Sequence, residues 1–469
     1  MKPRELENLG IPRGETMQLA IRAVIAARDA GLDKDSVRAA IRALVERPID
    51  YSSDARFGAL ASALVDYRES GLRFQERASP ARFVQWGSGL DEQALTQMRN
   101  ACWLPVSVVG ALMPDAHQGY GLPIGGVLAT KNAVIPYAVG VDIACRMKMT
   151  VLDLPVSELD RRQDRLARAI EDETQFGVGA IFKKRRVHAV MDEDWSVTKL
   201  TAHLKDKAWS QLGTSGSGNH FVEFGTLALS ADDLGLRAGS YVALLSHSGS
   251  RGAGSSVAEY YSRAAMAAHP ELPRELAYLA WLDLDSETGQ EYWVAMELMG
   301  RYAAANHQLI HRYVARHLGA AVLLDIENHH NFAWKETHGG QEVIVHRKGA
   351  TPAGRGVLGI IPGSMATAGY VVRGAGNPDS LDSASHGAGR RMSRTAAREQ
   401  FTWKDARAIL ADRGVTVLSA GIDEAPMAYK NIDDVMAAQA DLVMAVARFD
   451  PRLVKMAPAG EKPAARSSG

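Results

Sequence analysis

The residues with the clearest chemical potential lie in the segment Gly140-Val-Asp-Ile-Ala-Cys-Arg-Met147. Asp142 and Cys145 are three positions apart, so one helical turn or a tight bend can direct both side chains at a single point. A carboxylate and a thiolate form a metal-binding pair of mixed hardness, which imidazoles would complete. Three histidines stand where apolar or glycine-rich segments give way to polar residues: His220, His247 and His330. These five residues are the predicted metal ligands.

A second reactive group is predicted in the segment Ser385-His-Gly-Ala-Gly-Arg-Arg-Met-Ser-Arg394. Small residues flank His386 and leave space for a bulky group on a ring nitrogen. Arg390, Arg391 and Arg394 follow closely and can neutralise phosphate charge. The pattern suits a histidine that forms a covalent phosphoramidate with a nucleotide. A hydrogen-bonded loop histidine is the alternative interpretation of the same residues.

Three further stretches have both a functional and a structural interpretation. The glycine-rich loop 212–220 ends in Asn219-His220, is followed by Glu223, and can form an anion nest. The run Lys183-Lys-Arg-Arg186 is either a solvated turn or a patch that contacts phosphates. In the glycine- and proline-rich stretch 113–126, Asp115 and His117 are expected to be structural. The pair His307 and His311, four residues apart on a helix, is expected to be structural too.

Composition restricts the class of protein. With 469 residues, 46% hydrophobic and 23% charged, the chain is typical of a globular enzyme or binding protein. Its formal net charge is zero, so a nucleic-acid surface would have to be local. Two cysteines, Cys102 and Cys145, form no disulfide framework, and a reducing cytoplasm is the expected compartment. The N-terminus lacks a signal-peptide pattern and no apolar run is long enough for a membrane span.

The elements that must position these residues fall into three parts. Residues 1–78 have helical periodicity and are predicted to form a small all-α unit, either a packing module or a docking extension. Residues 79–457 repeat one plan, in which an apolar strand ends in one or two reactive side chains that face a common cleft. Residues 458–469 are predicted to be a disordered tail. The expected fold class is α+β.

Taken together, the motifs resemble the RtcB family of RNA ligases. The resemblance runs from about Gln85 to Lys455 and rests on MPDAHQGYGLPIGG, GVDIAC, GSGNHFVE, HSGSRG, HHN, HRKGAT and SHGAGRRMSR. It implies a single large RtcB-like catalytic domain with a central metal cleft, preceded by the small all-α N-terminal unit. The chain is interpreted as a divergent paralogue that acts in RNA repair.

The resemblance also implies an activity and a set of roles. Family members join RNA with a 3′-phosphate or 2′,3′-cyclic phosphate to a 5′-hydroxyl, using GTP and manganese. Two Mn²⁺ ions would be held by Asp142, Cys145, His220, His247 and His330, with Cys145 bridging, although the ligands also suit Zn²⁺ or another divalent metal. His386 matches the histidine that becomes guanylylated. A monomer is expected, and an archease-like activator is an expected partner.

Two larger groups of residues receive roles on the same basis. The expected contacts to the guanylate are Asn219, His220, Glu223, His330, Asn331, Pro362, Gly363, Ser364, Met365, His386, Gly387, Ala388, Gly389, Tyr429 and Lys455. The expected contacts to RNA are Lys183, Lys184, Arg185, Arg186, Arg251, Arg390 and Arg394.

Two other functions are compatible with the same residues. The first is a nucleotidyltransferase that caps 3′-phosphate ends with GMP and seals them poorly. The second is an RNA-end-binding protein with little catalysis, whose partner docks on residues 1–78. Retention of labelled GTP on the denatured protein would separate the enzymes from the binding protein, and joined product would separate the ligase from the capping enzyme.

Overall fold

The computed structural model describes residues 1–12, 15–71 and 77–458. The predicted tail therefore lies outside the described residues, apart from Pro458. Within the described ranges, no helix is both long and apolar enough to span a membrane. The chain divides into two compact units. The first consists of Met1–Gln75 with Pro270–Arg274, and the second of Glu76–His269 with Glu275–Gly469.

Fourteen α-helices occur among the described residues. They are α1 Pro3–Asn8, α2 Glu15–Asp29, α3 Lys34–Glu46, α4 Gly58–Gly71, α5 Glu92–Cys102, α6 Pro136–Val139, α7 Glu158–Arg161, α8 Gln163–Glu173, α9 Lys199–Gln211, α10 Arg251–Ala268, α11 Glu287–His317, α12 Arg394–Gln400, α13 Trp403–Asp412 and α14 Ile432–Ala437.

Seventeen strands accompany them in the described chain. They are β1 Arg82–Gln85, β2 Ser107–His117, β3 Ile124–Thr130, β4 Ala133–Val134, β5 Arg146–Leu152, β6 Phe221–Leu229, β7 Gly239–Ser248, β8 Leu282–Asp283, β9 Val322–His329, β10 Phe332–His338, β11 Gln341–Lys348, β12 Ala350–Pro352, β13 Leu358–Ile361, β14 Gly369–Gly374, β15 Ser383–Ser385, β16 Thr416–Ser419 and β17 Val443–Met456. The mixture of helix and sheet confirms the predicted α+β class.

The first unit is helical, as its periodicity predicts. Val24, Ile41 and Leu60, one from each of the three longer helices, are buried in a common core. Asp33 caps α3, because its carboxylate accepts from the backbone N–H groups of the first turn. This core contains neither the predicted metal ligands nor His386.

The second unit is built on two large sheets. One has five strands in the order β1-β2-β3-β11-β10, and the other runs β13-β14-β17-β6-β7-β5-β9, with β16 paired to β17. Asn328 on β9 bonds to both the N–H and the C=O of Ile360 on β13, so the two outer strands of the larger sheet curl towards each other. Apolar side chains of its inner strands, such as Met149, Leu245 and Phe449, fill the enclosed core.

Register within the larger sheet explains why distant residues meet. His247, near the end of β7, pairs with Phe221 at the start of β6 and with Met147 near the start of β5. His329 at the end of β9 pairs with Arg146. Because these pairs are antiparallel, two strand starts and two strand ends fall at one edge of the sheet. This edge is where the predicted common cleft lies.

The apolar run Val134–Val139 is not one continuous strand. β4 ends at Val134, and residues 136–139 form the short helix α6. Pro136 occupies the first turn of that helix, where its missing N–H costs nothing. The helix directs the chain from the interior towards Asp142.

Candidate active site

The segment that carries Asp142 and Cys145 is a tight bend between α6 and β5. The Cys145 N–H donates to the C=O of Asp142, and Ala144 adopts the left-handed conformation with φ 55°. Backbone bonds tie this bend to the residues after β9: Ala144 N–H donates to Asn331 C=O, and His330 N–H donates to Cys145 C=O. Of the two predicted geometries, the bend is therefore the one observed. It aligns the two side chains with His330.

The five predicted ligands converge on one point of the sheet edge. Their closest atoms form two trios, one of Asp142, Cys145 and His220 and the other of Cys145, His247 and His330. Within the first, Asp142 Oδ2 lies 2.9 Å from His220 Nε2, which lies 3.4 Å from Cys145 Sγ. Within the second, His247 Nε2 lies 3.1 Å from Cys145 Sγ and 3.2 Å from His330 Nε2. Cys145 belongs to both trios.

Backbone groups around the cluster orient its rings. The His247 Nδ1–H donates to the carbonyl of Asn219, which leaves Nε2 as the atom that faces the cluster. His220 Nδ1 lies 3.0 Å from the carbonyl of Ser215 and 2.9 Å from Arg251 Nη2, so it donates to the first or accepts from the second. The Ser250 N–H donates to Asp142 Oδ1 and fixes that carboxylate.

Arg251 reaches His220 because Gly216 has no side chain. Gly216 has φ +95°, and a Cβ on it would lie 1.1 Å from Arg251 Nη1. Arg251 itself adopts φ 55° at the start of α10. Arg251, a predicted RNA contact, thus lies against a predicted metal ligand.

The donor set fits a divalent cation. Burial lowers the pKa of His247 and of His330 well below the ordinary range, so both rings are neutral and offer lone pairs. Burial beside Asp142 raises the pKa of the Cys145 thiol well above its ordinary range. The Nε2 atoms of these two rings and the Cys145 sulfur converge on one point. Binding of a cation would satisfy both nitrogens and release the thiol proton.

His386 lies beside this cluster and has a carboxylate partner. Its ring centroid is 4.9 Å from that of His330, and its Nδ1 is 2.8 Å from Asp115 Oδ2. Because an ionised carboxylate only accepts, Nδ1 carries the proton and donates, which leaves Nε2 with a free lone pair. Asp115 is completely buried at the end of β2. The sequence assigned Asp115 a structural role, and the structure gives it a direct contact to the predicted nucleophile.

One cavity of about 500 Å³ contains both groups of residues. It is lined by His386, by all five predicted metal ligands and by every predicted guanylate contact except Lys455. The Lys455 ammonium lies 5.6 Å from the ring centroid of Phe176 instead. Apolar side chains form one wall, among them Leu245, Phe449 and Val454. The cavity thus combines an apolar wall with the metal-ligand cluster and the candidate nucleophile.

Glu223 stands out on the polar side of the cavity. Burial raises the pKa of its carboxyl well above the ordinary range, so the group is a neutral acid that can both donate and accept. Glu223 therefore offers a bound ligand both a donor and an acceptor.

The predicted phosphate-binding arginines are engaged by acidic residues. Arg390 Nη1 lies 3.2 Å from Glu424 Oε2, and the Arg394 guanidinium contacts the other oxygen of the same carboxylate. The Tyr429 hydroxyl also bonds to Glu424, and Arg394 pairs with Asp423 as well. Glu424 went unnoticed in the sequence because the segment 422–428 carries no recognisable pattern. Both arginines still line the cavity.

Lys348, to which no role was assigned from the sequence, and His117, which was expected to be structural, also line the cavity. Burial lowers the pKa of Lys348 to about 7 and that of His117 to about 4. The Lys348 ammonium donates to the carbonyl of Tyr120. Its position in the HRKGAT segment, at the end of β11, was the available signal.

The basic run is divided by the structure. Lys183, Lys184 and Arg185 are exposed, whereas Arg186 is buried, pairs with Glu173 and stacks on Phe182 and Tyr313. This placement gives Arg186 a packing role between α8 and α11. The other three cations remain open to solvent, with Arg185 also paired to Asp206.

His307 and His311 lie in a separate buried network. The Ser246 hydroxyl is 2.7 Å from a ring nitrogen of each, and Thr150 Oγ1 is 2.7 Å from the other nitrogen of His311. Neither histidine lines the cavity. The pair joins α11 to the larger sheet, in keeping with the structural role expected of it.

Comparison with known proteins gives a consistent match. The family model described as tRNA-splicing ligase RtcB matches residues 97–208 and 193–456. The RNA-splicing ligase RtcB of Escherichia coli (strain K12) is 36% identical over 397 residues, which cover 78% of this chain and 94% of that protein. The tRNA-splicing ligase RtcB of Nanoarchaeum equitans is 32% identical, with 77% and 91% covered. The RNA-splicing ligase RtcB of Mycobacterium bovis is 35% identical, with 76% and 98% covered.

Proposed function

This chain belongs to the RtcB family, and from that premise we propose that it is a GTP-dependent RNA ligase. Its substrates are an RNA end with a 3′-phosphate or 2′,3′-cyclic phosphate and an end with a 5′-hydroxyl. The observation that carries the proposal is the cavity in which His386, with its Nδ1 held by Asp115, lies beside two ligand trios that share Cys145. The test is a sealing assay with end-labelled strands and GTP, in which joined product supports a ligase and GMP-capped product alone contradicts it.

Two divalent cations are proposed for the cluster, with Asp142, Cys145 and His220 around one and Cys145, His247 and His330 around the other. Such cations neutralise phosphate oxygens and make the phosphorus more electrophilic. Manganese is proposed because the carboxylate and the phosphate substrates supply hard oxygen ligands, while the thiolate and imidazoles also suit zinc. Geometry supports the shared ligand directly, since Cys145 Sγ is within 3.4 Å of both facing imidazole nitrogens.

His386 is the proposed nucleophile of the first step. Its Nε2 lone pair attacks the α-phosphorus of GTP, a P–N bond forms, and the P–O bond to pyrophosphate breaks. The Asp115 carboxylate accepts from Nδ1–H and stabilises the positive charge that the ring gains. Gly349 keeps this face open, because a Cβ there would lie 3.2 Å from His386 Cε1.

Two transfers complete the reaction. An oxygen of the RNA 3′-phosphate attacks the phosphorus of the histidine-bound GMP, so the P–N bond breaks and a phosphoanhydride links RNA to GMP. The 5′-hydroxyl of the second strand then attacks the RNA 3′-phosphate, its proton is lost to solvent, and GMP leaves with the electrons of the P–O bond. The new phosphodiester joins the strands.

The guanosine is proposed to lie along the apolar wall with its base edge at Glu223. Asn219, Ser364 and Tyr429 border the same space. Lys455 is the exception among the proposed guanylate contacts, since reaching the cavity would require it to leave Phe176. The finer assignments that complete the proposal are a role in RNA repair, a cytoplasmic location, an archease-like activator and a monomeric state.

We expect Asp115→Asn to slow guanylylation of His386 by roughly 10²- to 10⁴-fold, because the amide can donate to Nδ1 and stabilise the wrong tautomer. The rate of label transfer from α-labelled GTP to protein measures the effect. Thermal unfolding separates it from a loss of fold, since Asp115 is buried. An unchanged rate in a folded Asp115→Asn variant would show that the contact only supports the structure.

We expect the exposed part of the basic run to contact RNA phosphates. Replacing Lys183, Lys184 and Arg185 by alanine should weaken RNA binding and reduce the slope of log K against log salt by about 0.7 for each lost contact. Arg186 is left unchanged because it is buried. The matched control replaces the exposed Lys404 and Arg407 of α13, neither of which lines the cavity. Equal slopes for the wild type and the triple variant would make the run a solvated turn.

A further inference from the structure

An exposed aromatic ring stands at the edge of the cavity. Tyr120, between β2 and β3, has 55% of its surface exposed and lines the cavity together with Tyr137. Both rings pack edge-on against Tyr278, with centroids 5.5 Å and 4.7 Å from that of Tyr278. Three tyrosines therefore form one cluster, and its most exposed member faces solvent where the cavity opens.

The segment that presents Tyr120 is held from three sides. The Lys348 ammonium donates to the Tyr120 carbonyl, and the side chain of Gln97 bonds to both the N–H and the C=O of Gly119. Gly121 has φ +69° and lies so close to Tyr278 that a Cβ would be 2.6 Å from the Tyr278 carbonyl oxygen. A ring on a fixed backbone loses little conformational entropy when a ligand stacks on it.

The cluster is connected to the chemistry. Lys348, which bonds to Tyr120, is followed by Gly349, and a Cβ on Gly349 would lie 3.2 Å from His386 Cε1. A group stacked on Tyr120 would thus lie at the entrance on the His386 side. The candidate guanosine site, with Glu223 and the apolar wall, offers the nucleotide base a buried position of its own.

We propose that Tyr120, supported by Tyr278 and Tyr137, is a stacking platform for the terminal nucleobase of an RNA strand that enters the cavity. Aromatic faces bind any base, because every base has a π-face, and a joining enzyme that acts on varied ends needs such tolerance. The inference rests on the proposed function, which identifies the ligand as RNA. It adds the position at which the end of the RNA binds.

The test removes the Tyr120 ring and the terminal base of the RNA, separately and together, and compares the effects on RNA binding. A single-stranded RNA with an internal fluorescein is prepared with an intact terminal nucleotide and with an abasic one, first at the 3′-phosphate end and then at the 5′-hydroxyl end. Anisotropy gives Kd for each RNA. In the wild type, removal of the base at one end should weaken binding about 5- to 150-fold. In Tyr120→Ala the ratio of the two Kd values should fall to near one, and Tyr120→Phe should retain the wild-type ratio.

Two further variants complete the design. Tyr120→Leu keeps a large apolar side chain without an aromatic face, so it covers the case in which the alanine variant does not fold. Tyr260→Ala is the matched control, because Tyr260 is 49% exposed on α10 and does not line the cavity. It should leave the Kd ratio at the wild-type value.

The outcomes separate this inference from the proposed function. A Kd ratio that stays at the wild-type value in Tyr120→Ala or Tyr120→Leu overturns the platform, as does a ratio of one at both ends of the wild type. The sealing assay on the wild type is scored independently. Joined product together with a Kd ratio that does not change in the Tyr120 variants would support the ligase and contradict the platform. A Kd ratio that falls to near one in those variants, without joined product from the wild type, would support the platform and contradict the ligase.

Discussion

Cys145→Ala is expected to remove bound divalent metal and to abolish guanylylation while the fold is retained. The sulfur belongs to both ligand trios, with His247 Nε2 at 3.1 Å and His220 Nε2 at 3.4 Å, so one substitution removes a ligand from each. Loss of a residue that only supports a metal ligand costs 10- to 100-fold in affinity or activity. Loss of a shared direct ligand should exceed about 100-fold.

The measurement combines metal content, label transfer from GTP and thermal unfolding. Cys102→Ala provides the matched control, since Cys102 is the other cysteine of the chain and is buried at the end of α5. Burial raises the pKa of Cys102 to about 12, so it is an inert thiol that should affect neither metal content nor label transfer. Full metal occupancy together with normal GTP reactivity in Cys145→Ala would exclude the shared-ligand assignment.

The convergence of these ligands could be predicted from the sequence for a definite reason. Each predicted ligand lies at or near one end of an apolar strand: Asp142 and Cys145 before β5, His220 before β6, His247 near the end of β7 and His330 directly after β9. Alternating antiparallel strands bring such positions to one edge of a sheet. Strand order was not needed for this step. The local backbone geometry was harder to predict, because the spacing of Asp142 and Cys145 allows a helical turn as well as a bend. The bend is held by two tertiary backbone bonds, one from Ala144 N–H to Asn331 C=O and one from His330 N–H to Cys145 C=O.

Partners that lie far apart in the chain could not be predicted. Asp115 and His386 are 271 positions apart, and their contact requires the end of β2 to meet the segment after β15. A buried aspartate in a glycine-rich stretch is equally compatible with a local turn. The same limit explains Arg186, whose partners Glu173 and Tyr313 lie on α8 and α11. Charge in a sequence shows which residues can bind phosphate, and packing decides which of them are free to do so.

The pairing of Arg390 and Arg394 with Glu424 adds a physical qualification to their predicted role. A buried carboxylate between two guanidiniums is strongly stabilised by them, and an arriving phosphate would have to compete with it. The paired arginines are held in fixed positions at the cavity wall. An anion that reaches them therefore finds donors that Glu424 already holds in position. Little conformational entropy of the arginine side chains is then lost when the anion binds.

His386→Ala is expected to abolish covalent attachment of GMP. His386 has the free Nε2 lone pair, the oriented ring and the open neighbourhood that a nucleophile needs. Ser385 precedes His386 in the sequence and is a competing candidate, and its hydroxyl is buried without a hydrogen-bond partner among the described groups. The two assignments differ chemically: a phosphoramidate is labile in acid and stable in alkali, whereas a serine phosphoester behaves in the opposite way.

The decisive measurement incubates each protein with manganese and α-labelled GTP and then treats it with acid or alkali. The wild type should hold label that acid removes and alkali spares, and the exposed His203 on α9 supplies the control variant, His203→Ala, which should behave identically. His386→Ala should hold no label, yet it should still seal an RNA supplied with a pre-formed 3′-guanylylated end, because the imidazole carries GMP only in the first two steps. Label that persists on His386→Ala, or label that resists acid in the wild type, would show that another residue is the nucleophile. Loss of sealing with the pre-formed end would instead show that the ring also takes part in the final displacement.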